Sequence, residues 1–288
     1  MIDTLNFYIP IDTQKALASI KGQSFNGCYW TSNTKNLKLT VKDNRLYING
    51  SIAKYADKGI EGLGIKDGLQ ALKELEASLK ADFSKSVVCR VDYCKTLEMD
   101  KPPYYYLECL DKVPRFLKNV HSEKEKETVT FCTKTGARAF CAYDKGLESG
   151  IKNNLLRLEL RIMKKKAVQK ILGNKKTVFD VFSMETFNRL EKEYMDFYNS
   201  ILKHDISING YMPPDCKPPI LFEYLAINYK ILHPEEYGIL LKDFVKNMDK
   251  KNRYRTLCKE RKNGFLEGVK PENGILYELD QKNAIQAH

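Results

Sequence analysis

The sequence predicts an α+β protein: an antiparallel-sheet domain over residues 1–163, then an all-helical, basic domain over residues 164–288. Three observations predict it. As far as Met163, apolar residues alternate at period two in short segments, which puts successive side chains on opposite faces of strands. Short turn links, Lys42-Asp43-Asn44 and Lys134-Thr135-Gly136, join such segments as antiparallel hairpins. Beyond Met163 the apolar spacing lengthens to that of helices.

Residues 3–9 alternate weakly and stop at Pro10, which makes them the first strand. Residues 36–41 and 45–49 alternate well and form the first hairpin. The stretch NGSIAKYADKGIEGLG that follows is rich in Gly and Lys and reads as a loop. Its backbone N–H groups and Lys54 suit phosphate, but it lacks the spacing of a nucleotide-binding loop. Residues 67–80 carry Leu69, Leu72, Leu75 and Leu79 as one helical stripe, with Asp67 and Gln70 spaced as a capping box. In the strand predicted at 86–94, Val87, Cys89, Val91 and Tyr93 share one face, and Val88, Arg90 and Asp92 the other. Tyr104, Tyr105 and Tyr106 open a stretch read as helical up to Val120, interrupted at Pro114.

A charged connection at 123–127 leads to a second hairpin, 128–133 with 137–145, and then to a strand at 154–162. In the hairpin, Cys141, Tyr143 and Lys145 share a face. In the last strand, Leu156, Leu158, Leu160 and Ile162 form the core face, and Arg157, Glu159 and Arg161 the other. Next comes a lysine run, Lys164, Lys165, Lys166, Lys170, Lys175 and Lys176. Residues 178–204 have helical spacing, with Ser183 placed to cap a second helix. A proline-rich linker at 211–219 precedes helices at 220–232, 234–247 and 249–261, the last carrying Lys250, Lys251, Arg253 and Arg255.

Composition narrows the function. A hydrophobic share of 43% in 288 residues supports a sizeable core. No run approaches the roughly 18 apolar residues of a membrane span, and the start MIDTLNFYIP lacks the basic end of a signal peptide, so a cytosolic protein is expected. The 8 cysteines include no C-x-x-C pair, and the 4 histidines no H-x-H or H-x-x-x-H pair. A zinc site is therefore not expected. Any metal must be held by carboxylates, which suits Mg²⁺ or Mn²⁺. Lys and Arg outnumber Asp and Glu by 48 to 37, a net charge of +11 that favours a polyanion, nucleic acid first.

The row Arg157, Glu159, Arg161 has two readings. It is a cross-strand ion-pair ladder on a solvated sheet face, or it is part of a reactive centre. On the second reading Tyr143 is a nucleophile for DNA strand transfer. A phenol attacking a backbone phosphorus splits cleavage and resealing into two steps of similar free energy. With a pKa of about 10 the phenol is protonated at neutral pH and needs help. Asp92 and Glu159 are placed to hold the divalent cation. Arg90, Arg157, Arg161 and Lys145 are placed to meet phosphate oxygens. Tyr104, Tyr105 and Tyr106 are rival nucleophiles.

Four places carry a likeness to a known family. They are the opening Met1-Ile2-Asp3 with a strand ending at Pro10, the C-R-V-D of Cys89 to Asp92, the A-Y-D-K of Ala142 to Lys145, and the L-R-L-E-L-R of Leu156 to Arg161. In this order they resemble the gene II type replication initiators of filamentous phages and related plasmids, and more distantly the tyrosine initiators of staphylococcal rolling-circle plasmids. The resemblance implies a metal-dependent nickase–ligase that starts rolling-circle replication at an origin. It implies Tyr143 as nucleophile, Asp92 and Glu159 as metal ligands, and Lys145 as a phosphate or leaving-group partner. Implied partners are single- and double-stranded origin DNA, a host helicase and a second copy of the chain. The paired histidines of many relatives are missing here, so the metal shell is incomplete from sequence; Asp144 and Glu148 are candidates to contribute, Asp144 the lesser because on a regular strand it points away from Tyr143. Two alternatives stay open: a relaxase-type nickase for transfer of a mobile element, and a non-catalytic origin-binding protein that recruits a helicase.

Overall fold

A computed structural model describes residues 1–123, 126–174, 176–203 and 275–285. The chain divides into two compact units, Met1–Leu202 with Lys282–His288, and Lys203–Gln281. The first unit carries the sheet. Its elements are β1 (Ile2–Pro10), α1 (Thr13–Ser19), β2 (Ser24–Phe25), β3 (Trp30–Thr34), β4 (Leu37–Lys42), β5 (Arg45–Ser51), α2 (Ile52–Tyr55), α3 (Ile65–Leu79), β6 (Val87–Glu98), α4 (Pro103–Glu108), β7 (Leu110–Lys112), β8 (Leu117–Glu123), β9 (Lys126–Cys132), β10 (Arg138–Asp144), α5 (Lys145–Ser149), β11 (Leu155–Ile162), α6 (Lys165–Leu172), α7 (Val178–Val181) and α8 (Met184–Ser200).

Ten strands form one antiparallel sheet in the order β2-β3-β4-β5-β1-β6-β11-β10-β9-β8. Both predicted hairpins are present. In the first, Asp43 and Asn44 both take positive φ, 53° and 51°, the two-residue turn whose twist matches that of the flanking strands. β1 lies between the two hairpin systems, paired to β5 on one side and β6 on the other.

The two sheet faces differ in kind. Leu5, Phe7, Ile48, Val91, Leu158, Leu160 and Phe140 are buried on the apolar one. Aromatic side chains of α8 close over it: Phe197 stacks on Phe140 at 5.1 Å with the ring planes 5° apart, and Tyr194 lies 5.5 Å from Phe140. Gly68 lets α3 approach the Phe182 ring, because a Cβ there would sit 1.9 Å from a ring carbon. One lysine is buried on this side. Lys95 Nζ pairs with Glu191 Oε1 at 2.7 Å, donates to the Asn283 carbonyl at 2.9 Å and lies 5.2 Å from the Tyr194 ring centre. Glu191 also accepts from the Tyr93 hydroxyl.

Several sequence expectations need correction. α3 starts at Ile65 behind Gly64, with no side-chain cap; Gln70 donates to Glu74 at 2.8 Å instead of closing a capping box with Asp67. The helix expected as far as Val120 ends at Glu108, and the short β7 and then β8 follow it. The helix has already ended before Pro114, and pairing with β9 from Leu117↔Cys132 to Glu123↔Lys126 recruits the later segment into the sheet. Lys145 is not a strand residue. Asp144 accepts from the Leu147 N–H at 2.8 Å and starts α5, so the strand stops one residue before Lys145. The two helices split at Ser183 are present as α7 and α8. With α6 they lie in the same compact unit as the sheet, so the 163/164 boundary falls inside that unit. The expected linker and helices at 211–261, with Lys250, Lys251, Arg253 and Arg255, lie outside the described residues.

Candidate functional site on the polar sheet face

Residues directly opposite one another in an antiparallel pair share a face. The registers of β10, β11 and β6 therefore build three rows on the polar side. Tyr143, Arg157 and Thr96 form the first, Cys141, Glu159 and Cys94 the second, Ala139, Arg161 and Asp92 the third. A fourth row continues through Arg90 to Asn6 on β1. Tyr143 and Glu159 are diagonal neighbours, as are Glu159 and Asp92, a relation in which side chains start about 7–8 Å apart. Tyr143 and Asp92 are not neighbours: two rows and two strands separate them.

Both acids are engaged. Asp92 is fully buried and accepts a forked pair of bonds from Arg90, Nε to Oδ1 at 2.9 Å and Nη2 to Oδ2 at 2.5 Å. Glu159, also buried, accepts from Arg161 Nη2 at 3.0 Å. Each acid thus pairs with an arginine two residues along its own strand, with both carboxylates buried, rather than in the cross-strand ladder on a solvated face that the sequence allowed. Burial still pushes the Asp92 carboxyl up to about 7; the Arg90 bond opposes this and the nearby Glu159 adds to it.

Arg157 is the most firmly held of the predicted residues. Its side chain is fully buried. It donates from Nε to Thr96 Oγ1 at 3.0 Å, from Nη1 to Asp3 Oδ1 at 3.1 Å, and from Nη2 to the carbonyls of Gly59, at 3.2 Å, and Ile60. That set ties β11 to β1, β6 and the loop before α3. Protein acceptors fill most of its fork, so it does not face phosphate as the sequence suggested. Asp3 reaches it through a register shift between Ile2 and Leu5, a bulge that re-aims a side chain. Sequence reasoning named Asp3 only within the opening Met1-Ile2-Asp3 and gave it no site role; its partnership with Arg157 follows from the bulge.

Around Tyr143, Lys145 and Lys54 converge on Glu148. Lys145, buried, pairs with Oε2, and Lys54 with Oε1 at 2.9 Å. Burial favours the protonated carboxyl, but the two ammonium groups outweigh it and hold Glu148 down to about 2. The Lys145 Nζ stands 6.0 Å from the Tyr143 ring centre. Burial, then the charge of Glu159, pushes the Tyr143 phenol above its ordinary range, with Arg157 opposing. At neutral pH this tyrosine is a protonated phenol. The thiols beside Glu159, Cys94 and Cys141, are each pushed up to about 11 by burial and stay protonated.

The rival tyrosines lie on α4. Tyr106 is fully buried and accepts from the Lys101 N–H at 3.2 Å, whereas Tyr104 is exposed with its ring 4.1 Å from that of Tyr105. Among the described residues no group of three or more His, Cys, Asp or Glu side chains is arranged to hold a metal ion. The donor chemistry of Asp92 and Glu159 nonetheless fits Mg²⁺, which takes one or two carboxylates and completes its octahedron with water and phosphate oxygens.

No family model matches the chain, and no curated protein sequence matches it. Among solved structures it is similar to a rolling-circle replication initiator protein from Geobacillus stearothermophilus, with 9% identity and a TM-score of 0.39 over 76% of this chain and 89% of that one. With values this low, the chemistry has to be read from this chain's own residues. No helix among the described residues is long and apolar enough to cross a membrane.

Proposed function

We propose that the chain is a rolling-circle replication initiator that nicks and rejoins one DNA strand through Tyr143. The observation that carries the reading is the register of β10, β11 and β6, which sets Tyr143, Glu159 and Asp92 on one polar face with Glu159 between the other two. The Tyr143 oxygen bonds to a backbone phosphorus and the bond from that phosphorus to the 3′ oxygen breaks. The 5′ phosphate stays on the tyrosine, and the phenol proton passes to solvent while the leaving 3′ oxygen takes one up. The reverse attack by a 3′ hydroxyl closes the strand. Asp92 and Glu159 would hold Mg²⁺ or Mn²⁺, which supplies charge at the phosphate when bound. Lys145, 6.0 Å from the Tyr143 ring centre and paired with Glu148, is the phosphate or leaving-group partner, and the Arg157 charge favours the phenolate. Arg90 and Arg161 offset the charge that grows on the phosphate oxygens.

The test is incubation with supercoiled DNA carrying the origin of the chain's own replicon, with Mg²⁺. Relaxed circles and a covalent protein–DNA adduct, both lost in Tyr143→Phe, are expected. Adduct formation that survives this change moves the nucleophile elsewhere, to Tyr104 or Tyr105 first.

One observation favours a second reading. Both acids are already neutralised by arginines on their own strands, which suits an origin-binding protein that does not cut. Supercoils left intact at every Mg²⁺ and Mn²⁺ concentration, with retained DNA binding, would support it.

A further inference from the structure

The polar face continues past Arg90 onto β1, β5, β4 and β3, where no catalytic residue has been placed. Tyr8 and Tyr47 sit directly opposite each other there, half-exposed, with ring centres 5.5 Å apart. Arg45 lies over the Tyr8 ring at 5.0 Å, and the Lys165 ammonium of α6 stands 5.6 Å from the same ring and 3.3 Å from its hydroxyl. Lys38 and Lys42 share this face on β4, opposite Asn49 and Arg45. Among the described residues, none of Lys38, Lys42, Arg45 and Lys165 has a carboxylate within ion-pair distance. The same rows lead through Asn49, Asn6 and Arg90 to Asp92.

Uncompensated cations around half-exposed aromatic rings suit a ligand that carries both anionic charge and flat rings. We infer that this end of the sheet is a docking platform for single-stranded nucleic acid. Bases stack on Tyr8 and Tyr47, and Arg45, Lys165, Lys38 and Lys42 meet the phosphates. A duplex does not fit the aromatic half of the platform, because its bases already stack on each other. The strand so held runs along the polar face toward Glu159 and Tyr143. The inference rests on the nucleic-acid part of the proposed function, not on its cleavage chemistry.

The experiment is fluorescence anisotropy of the full chain with a labelled oligo-dT of about 20 nucleotides, longer than one single-strand site. The paired change Tyr8→Leu with Tyr47→Leu keeps strand-forming, apolar side chains and removes the stacking faces. It is expected to weaken binding about 10- to 100-fold with an unchanged circular dichroism spectrum. Tyr8→Phe with Tyr47→Phe is expected to stay within about twofold of wild type, since the π-faces remain. Arg45→Ala with Lys165→Ala should lower the slope of log affinity against log salt by about 1.4, at roughly 0.7 per released counterion. If the leucine pair does not fold, this exposed charge pair carries the test. Wild-type affinity in the leucine pair, or an unchanged salt slope in the charge pair, overturns the platform while nicking through Tyr143 stands or falls separately. Loss of oligo-dT binding in a protein that never cuts would keep the platform and remove the nickase. A wild type that binds no oligo-dT also overturns the platform and leaves nicking through Tyr143 to its own test.

Discussion

Arg157 shows how a charged strand residue becomes a structural tie. It sits in a fully buried setting and satisfies acceptors from three separate segments. Arg157→Ala takes from the Asp3 carboxylate its cationic partner, leaving it the Thr4 and Ser51 hydroxyls, and from the Gly59 carbonyl its side-chain donor. A loss of about 3–5 kcal/mol in denaturant unfolding is expected, with Lys a poor substitute because it lacks the planar fork. Glu148 gives the pH prediction. Its folded pKa of about 2 lies below its ordinary value of about 4.3, so the stability it contributes is full above that ordinary range. That stability fades as pH falls from about 4.3 toward 2. Thermal melts of Glu148→Gln between neutral pH and acid should show a shallower acid limb than wild type; parallel curves would deny the Lys54–Glu148–Lys145 link. Sequence alone marked Lys145 and Tyr143 as residues of interest. It named Glu148 only as a candidate metal ligand and Asp3 only within the opening Met1-Ile2-Asp3; the roles they have here, an acid held by two lysines 91 positions apart and a partner for Arg157 set by a bulge, depend on the tertiary fold.

At the scale of elements, local preference was a good guide where one face decided the pattern. β4, β5, β9, β10 and β11 form where alternation placed them, because a one-residue slip would turn the whole apolar set outward. It failed where pairing partners decided. The segment of Leu117 to Glu123 has no strong period of its own and becomes β8 because β9 offers it a free edge. The approach of α3 to Phe182 is likewise a tertiary matter. Gly68→Ala should gain up to about 1 kcal/mol of helix propensity. It should lose about 1–3 kcal/mol to overpacking, since the added carbon meets the ring at 1.9 Å. A net fall in melting temperature is the expected outcome. A rise would mean that Phe182 moves aside at no cost.

The whole sheet behaves as a two-faced plate. Helices α6, α7 and α8 belong to the same compact unit, and α8 covers Phe140 and Tyr93. A chain cut after Met163 exposes that apolar face, so it should aggregate or bind a hydrophobic dye rather than stand as an independent sheet domain. A monomeric, cooperatively melting fragment would contradict this. What the sequence by itself determined is the alternation: which side chains share a face, that one face is apolar, and that Arg90, Asp92, Arg157, Glu159 and Arg161 lie on the other. Period two follows from the backbone of a single strand and needs no partner. What only the tertiary structure decided is how those strands stand beside one another. Strand order and register couple residues far apart in the chain, and so set whom each charge meets: Asp3 for Arg157, and Tyr8 for the cations of β5 and α6.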